Sequence, residues 1–194
     1  MEKRTACITG AAGVLGKAIA KGLAHEGMRV VLLDLDQRLL DQVYSELGSE
    51  GYTVACDISD PAEVEEAVRR ITADVGAVDI LVNNAGILSN NKISNTSYEE
   101  WDRVLKVNLS GAFYLSKALI PGMKERKWGR IVNTCSLASK TGGITAGTAY
   151  STSKGALVAL TFSLAAETAS FGITVNGIAP AYVRTPMVTD QLTE

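Results

Sequence analysis

A chain of 194 residues with 46% hydrophobic and 21% charged residues and a formal net charge of −2 is sized for one domain with a substantial core. Leu, Val, Ile and Ala are spread along its whole length, which excludes an intrinsically disordered protein. Nearly balanced charge without a long basic run argues against nucleic acid or an anionic membrane as a partner.

In chain order, residues 5–9 form a short apolar run ending in Gly10, and a helical pattern over residues 15–25 closes at Gly27, so strand, tight turn and helix are expected. Residues 29–33 read as a buried strand ending at Asp34, followed by an amphipathic helix that stops at Gly48. A third strand is expected over residues 53–56. Asp60 with Pro61 and Glu63 then reads as a capping box with proline at the first helical position, opening a helix to about Val75. Residues 79–83 are the fourth strand, and Ser97 with Glu100 caps a helix that continues past Asn108, with Pro121 expected to kink or end it. Residues 130–134, a helix from about 148 to 170 closed by Gly172, and residues 174–178 complete the pattern. Short, continuously apolar strands alternating with helices predict an α/β fold, a doubly wound parallel sheet of the Rossmann type with at least six strands and helices on both faces. Ligands of such sheets bind outside the carboxyl ends of the strands.

Cys7, Cys56 and Cys135 lie far apart in or beside apolar runs and are expected as buried reduced thiols, with no metal-site spacing. No span approaches 18 apolar residues, and Gly10, Gly13, Gly16 and Lys17 interrupt the faint signal-like start, so a cytoplasmic protein is expected. His25 reads as a structural or surface residue. The run from Lys124 to Lys127 reads as a solvated helix end rather than a nucleic-acid patch.

Three motifs point to chemistry. After the first strand, Thr9-Gly10-Ala11-Ala12-Gly13-Val14-Leu15-Gly16 feeds a helix N-terminus, where glycine lets the backbone approach a pyrophosphate and the helix end stabilises its charge. Asp34 closes the second strand 24 residues after Gly10, near the spacing at which a carboxylate accepts hydrogen bonds from the adenine ribose, which implies NAD. Tyr150 and Lys154 are four residues apart at the start of a helix and share a face, so an ammonium can favour the phenolate and prepare Tyr150 for proton transfer. A Tyr-x-x-x-Lys pair alone is a weak signal, and the ordered company of the other motifs is what gives it weight.

That order resembles the short-chain dehydrogenase/reductase family over essentially the entire chain. Besides Tyr150 and Lys154, the resemblance rests on Thr9-Gly10, Asp57, Asn83-Asn84-Ala85-Gly86, Asn108, Ser136, Asn176-Gly177-Ile178-Ala179-Pro180, and Val183, Thr185 and Pro186. It implies that Gly10, Gly13, Val14, Leu15 and Gly16 bind the cofactor phosphates, that Asp57 and the Ile58 backbone hold the adenine, and that Asn83, Asn84, Ala85 and Gly86 shape the loop beside the adenosine ribose. Pro180, Val183 and Thr185 would hold the nicotinamide end. The implied catalytic set is Asn108, Ser136, Tyr150 and Lys154: Ser136 bonds the reacting oxygen, Tyr150 transfers the proton, Lys154 binds the nicotinamide ribose and, with the cofactor's positive ring, lowers the Tyr150 pKa, and Asn108 positions a water beside Lys154. Val14 and Ala181 stand where the family often has glycine. The sequence ends at Glu194, where the resemblance leads one to expect a further helix and a seventh strand.

The expected protein is one NAD-binding domain with a built-in catalytic site, an NAD-dependent oxidoreductase interconverting a secondary alcohol and a ketone. The polar stretches 88–95 and 139–143 favour a sugar- or polyol-like substrate. A 3-oxoacyl thioester reductase using NADPH and a catalytically weak NAD-binding or assembly module are the alternatives. Apolar residues beyond what one sheet face needs, such as Phe113, Leu157, Leu160 and Phe162, predict a dimer or tetramer.

Overall fold

The computed structural model describes residues 3–47, 51–183, 185 and 189. Six strands, β1 (Thr5–Thr9), β2 (Arg29–Asp34), β3 (Gly51–Ala55), β4 (Ile80–Asn83), β5 (Gly129–Thr134) and β6 (Ile173–Ile178), form one sheet in the order β3-β2-β1-β4-β5-β6. Every pairing is parallel. The helices are α1 (Val14–His25), α2 (Gln37–Leu47), α3 (Pro61–Asp74), α4 (Tyr98–Leu105), α5 (Gly111–Glu125), α6 (Ala138–Thr141) and α7 (Thr148–Thr168).

The pleat sends alternate side chains to opposite faces, and each face has its own helices. Cys7, Leu81 and Ile131 pack with Val64 and Ile71 of α3, Leu115 and Met123 of α5 and Leu164 of α7. Ala6, Ile8, Val30 and Leu32 pack on the other side with Ala20 of α1 and Leu40 and Val43 of α2. Both faces being covered explains why the strands read as continuous apolar runs. The strand order reverses between β1 and β4, so the chain leaves those two strands in opposite directions and opens a crevice at their carboxyl ends. Among the described residues no helix is long and apolar enough to cross a membrane, and all three cysteines are buried and free.

The structure departs from the expected elements in several places. Asp60 caps α3 by accepting from Ala62 N at 2.8 Å, but the Glu63 carboxylate accepts from Asp57 N at 2.8 Å, because the Asp60 amide is already bonded to Asp57 O. Pro121 lies inside α5 without ending it; buried Leu119, Ile120 and Met123 around it hold the turn that its missing N–H weakens. The helix expected to run past Asn108 does so, but through one π turn (Lys106–Ser110) between α4 and α5. The short α6 after Ser136 has no signal in the sequence. At the far end of α7 a 3-10 turn (Ala169–Phe171) leads into Gly172 at φ 71°, while Gly48, the expected end of α2, lies outside the described residues.

Candidate active site

The turn after β1 is built by close backbone approach. Gly10 takes φ 63°, and a Cβ there would stand 2.8 Å from Ala85 Cα. A Cβ on Gly16 would collide with the Gly10 carbonyl, so α1 can start against the turn only with glycine at that place. Gly13 caps α1 with no side-chain bond, and the Val14, Leu15 and Gly16 amides are those of a first helical turn, which have no intrahelical acceptor.

Asp34 does more than the sequence suggested. Its Oδ2 accepts from Ala12 N at 2.9 Å and its Oδ1 from Leu35 N at 2.8 Å, so the carboxylate ties the glycine turn to the end of β2. Across the crevice, Thr9 Oγ1 accepts from Asn84 N at 3.0 Å and Ala85 N at 2.9 Å, and Asn84 Nδ2 donates to Thr9 O at 3.0 Å. Asn83, expected beside the ribose, points the other way: it is 4% exposed and donates to Asn133 Oδ1 at 2.9 Å inside the core. Asp57 Oδ1 accepts from Ser59 N at 2.9 Å, which shapes the loop after β3.

Asn108 sits in the π turn and is 1% exposed. Its Oδ1 accepts from Ile87 N at 2.8 Å, and its Nδ2 donates to Ile87 O at 2.9 Å and to Ser153 Oγ at 3.0 Å. Ser153 Oγ in turn donates to Tyr150 O at 2.7 Å. The asparagine side chain therefore spans from the loop after β4 to α7, with both ends of its amide engaged. Ser153, a partner in this span, was missed; only its place between Tyr150 and Lys154 could have pointed to it.

Lys154, 3% exposed, donates from Nζ to Thr134 O at 2.7 Å. Burial brings its pKa down from 10.5 to about 8, with a smaller opposing effect from Cys135. Tyr150 shares its helix face, the ammonium 5.8 Å from the ring centroid. Burial raises the phenol above its ordinary value, and a hydrogen bond with Ser136 opposes that rise. In the protein alone, then, the lysine is aimed at the Thr134 carbonyl and desolvation sets the direction for the phenol.

Every expected site residue except Asn108 and Asn83 lines a single cavity of about 580 Å³ that runs from the glycine turn past Asp34, Asp57 and Ile58 to Ser136, Tyr150 and Lys154. Pro180, Val183 and Thr185 border it as well. Cys56 and Cys135, singled out in the sequence only as core thiols, also reach its wall. Among the described residues no group of three or more His, Cys, Asp or Glu could hold a metal ion. A dinucleotide fits the residues present: open amides for a pyrophosphate, a carboxylate beside the turn, and a buried cation at the far end.

Residues 4–194 match the family model described as short chain dehydrogenase. The chain belongs to the short-chain dehydrogenase/reductase family. It is 38% identical over 188 residues to the 3-oxoacyl-(acyl-carrier-protein) reductase FabG of Vibrio cholerae serotype O1, covering 96% of this chain and 76% of that protein. Oxidoreductase UcpA of Salmonella typhimurium is 42% identical over 190 residues, covering 95% of this chain and 71% of that one. An NAD+-bound xylitol dehydrogenase superposes with a TM-score of 0.88 at 37% identity, over 92% of this chain and 70% of the other. This short-chain dehydrogenase is thus an oxidoreductase whose family uses a nicotinamide cofactor.

The buried ammonium makes a measurable demand on stability. Between its folded value of about 8 and the ordinary 10.5, Lys154 is protonated more fully in the unfolded chain than in the folded one, so folding stability from this group rises as pH climbs through that window. Compared with Lys154→Met in urea unfolding, the wild type is expected to gain stability between pH 8 and 10.5. A constant difference between the two across that range would contradict a penalised buried charge.

Proposed function

We propose that this chain is an NAD-dependent dehydrogenase that interconverts a secondary alcohol and a ketone, one nucleotide-binding domain carrying its own catalytic site. The observation that carries this reading is the single cavity that joins the open amides of α1 and the Asp34 carboxylate to the Ser136–Tyr150 pair and Lys154. When bound, NAD supplies the nicotinamide carbon that accepts or returns hydride. The Val14, Leu15 and Gly16 amides hold the pyrophosphate at the helix end. Asp34 uses lone pairs left by Ala12 and Leu35 to accept from the ribose hydroxyls, while Asp57, Ile58, Asn84, Ala85 and Gly86 frame the adenosine half. Pro180, Val183 and Thr185 hold the nicotinamide end with Lys154.

Ser136 donates to the reacting oxygen, and Tyr150 gives its proton in reduction or takes one in oxidation. With the phenol held above its ordinary value, the donating form is present at neutral pH and oxidation gains with rising pH. Asn108 keeps the loop after β4 fixed to α7, and because its side-chain amide is engaged, positioning a water falls to its main chain. Sugar- or polyol-like alcohols are the preferred class, on the polar stretches beside the site and the xylitol dehydrogenase likeness. The FabG relative supports the thioester-reductase alternative, against which stands the Asp34 carboxylate where a 2′-phosphate would lie. A binding module without turnover would bind NADH and act on no member of a broad alcohol and ketone panel. We place the protein in the cytoplasm, in keeping with its three free buried thiols.

The assembly proposed is a homodimer or homotetramer. Leu157 of α7 is buried, yet Phe162 on the same helix is 71% exposed and Phe113 of α5 is 43% exposed, apolar surface that a second copy would cover. Light scattering at micromolar concentration should give at least twice the chain mass; a monomer would refute the pairing.

Tyr150→Phe should keep the fold and the NADH affinity while turnover falls about 10²- to 10⁴-fold, since the proton-transfer oxygen is gone and the ring remains. A variant retaining a tenth of the wild-type rate would remove Tyr150 from that role.

For the cofactor, losing a charge-assisted hydrogen bond of about 1.5–3 kcal/mol predicts roughly 10- to 150-fold preference for NAD over NADP in kcat/KM before repulsion is counted. Arg38, the nearby cation, is taken by Asp36, which accepts from its NH2 at 3.2 Å. Asp34→Ala should narrow the preference and weaken both cofactors, because Ala12 N and Leu35 N lose their acceptor. Equal use of NADP by the wild type would overturn the NAD assignment and favour the thioester reductase.

A further inference from the structure

Lys92 lies in the loop between β4 and α4, within the polar stretch 88–95, and its ammonium has no role of its own in the reading above. Its Nζ donates to Gly143 O at 2.6 Å, to Ala146 O at 2.7 Å and to Ile144 O at 3.4 Å. An ammonium has three N–H donors. All three are spent on backbone carbonyls of one loop, residues 142–147, which leaves none for a substrate anion.

That loop joins α6 to α7 and so links Ser136, just before α6, to Tyr150, the third residue of α7. Gly142 and Gly143 stand at φ 70° and 72°, a left-handed pair without side chains that gives the loop little stiffness of its own. What fixes it comes from the segment around Lys92. Gly147 N donates to Ser89 O at 2.6 Å and Thr148 N to Asn91 O at 3.0 Å, so carbonyls of this segment take two amides at the start of α7, where Gly147 offers no side-chain cap. The contact has no slack: a Cβ on Gly147 would stand 2.6 Å from Asn91 O. Glu100 of α4 backs the segment by accepting from the Ser89 hydroxyl and, at 2.7 Å, from Asn91 Nδ2.

Resting on the reading of Tyr150 as the proton-transfer group, we propose that Lys92 is a positioning residue: it clamps the 142–147 loop onto the loop after β4 and thereby sets where α7 begins and where the phenol stands relative to Ser136. Hydrogen bonds from an ammonium to carbonyls are charge-assisted and stronger than neutral ones. A small displacement of a reacting group is costly even when its cause lies away from the chemistry.

The test compares Lys92→Met with the wild type. NADH affinity, read by fluorescence titration, should stay within about twofold, because the cofactor cavity does not include Lys92. Amide hydrogen exchange at Gly147, Thr148 and Ser151 should quicken at least about tenfold as the loop opens locally. Turnover is followed with whichever of xylitol, butan-2-ol and a 3-hydroxybutyryl thioester the wild type oxidises fastest. There kcat should fall about 10²-fold with little change in KM, and the alkaline rise of kcat should move to higher pH as the Ser136 hydrogen bond to the phenol loosens. Lys92→Cys alkylated with 2-bromoethylamine, which restores an ammonium of similar reach, should recover most of the lost rate when compared with wild type treated in the same way, a control for Cys56 and Cys135 at the cavity wall. Unchanged exchange would overturn the proposal, as would faster exchange with an unchanged kcat and pH profile. A wild type that binds NADH but turns over none of the three alcohols and no member of the broad alcohol and ketone panel would instead sink the dehydrogenase reading, and the exchange measurement would then decide the clamp alone.

Discussion

One threonine hydroxyl joins the two halves of this fold where the strand order reverses. Thr9 Oγ1 accepts from both Asn84 N and Ala85 N, so the glycine turn after β1 and the loop after β4 cannot separate across the crevice. From there a continuous line of polar contacts crosses the site. Asn84 holds the Thr9 carbonyl, Ile87 farther along the same loop is gripped through its N–H and C=O by Asn108, and Asn108 reaches Ser153, which bonds to Tyr150 O. The turn expected to bind phosphate and the helix bearing the phenol are thereby set relative to each other by hydrogen bonds that are mostly out of water, where each is stronger and more costly to break. The π turn at residues 106–110 is the local irregularity that accompanies this line, with Asn108 at its centre.

The electrostatics of the same region follow from burial more than from pairing. Desolvation drives a lysine toward its neutral amine and a tyrosine toward its neutral phenol, and here it acts on both Lys154 and Tyr150. With its pKa at about 8 the lysine is still mostly an ammonium at neutral pH, and the phenol is neutral. Cys135 offsets part of the shift at Lys154 and Ser136 part of that at the phenol, while Thr134 O accepts from Lys154 Nζ at 2.7 Å. A ligand carrying positive charge into the cavity would act on a phenol whose other stabilising contacts are already placed, so its charge would be felt in a poorly screened setting.

The middle of the sheet was legible because β1, β4 and most of β2 are buried on both faces: runs such as residues 5–9 and 29–33 read as covered strands, and the glycine and aspartate after them mark where each ends, whereas the edge strands β3 and β6 are partly exposed. The members of the cavity were legible for a different reason, since a glycine turn, a strand-end aspartate and a Tyr-x-x-x-Lys pair each keep a fixed place along one fold. What escaped was side-chain direction and competition between acceptors. Asn83 and Asn84 are neighbours in one motif, yet the pleat sends Asn83 into the core and leaves Asn84 at the turn. Glu63 had the spacing of a capping box, but the Asp60 amide was already taken by Asp57 O. Pro121 had the local chemistry of a helix breaker, and the packing of α5 overrode it. Spacing likewise shows that a cation lies near Tyr150 but not how strongly burial acts on the phenol in the protein alone.

The inward turn of Asn83 has its own physical logic. Asn83 Nδ2 donates to Asn133 Oδ1 at 2.9 Å, and Asn133 Nδ2 donates to Thr161 Oγ1 of α7 at 2.9 Å. Thr161 Oγ1 passes a hydrogen bond to Leu157 O at 2.7 Å, while a longer contact from Asn83 reaches Ser116 Oγ of α5 at 3.4 Å. An apolar core at this level would hold the helices to the sheet by area alone, and area tolerates a small slide along the helix axis. Directional bonds do not tolerate one, because a slide would leave a buried amide unpaired at a cost of about 1–3 kcal/mol. This ladder fixes α7 against β5, and with α7 the heights of Tyr150 and Lys154 above the end of the sheet.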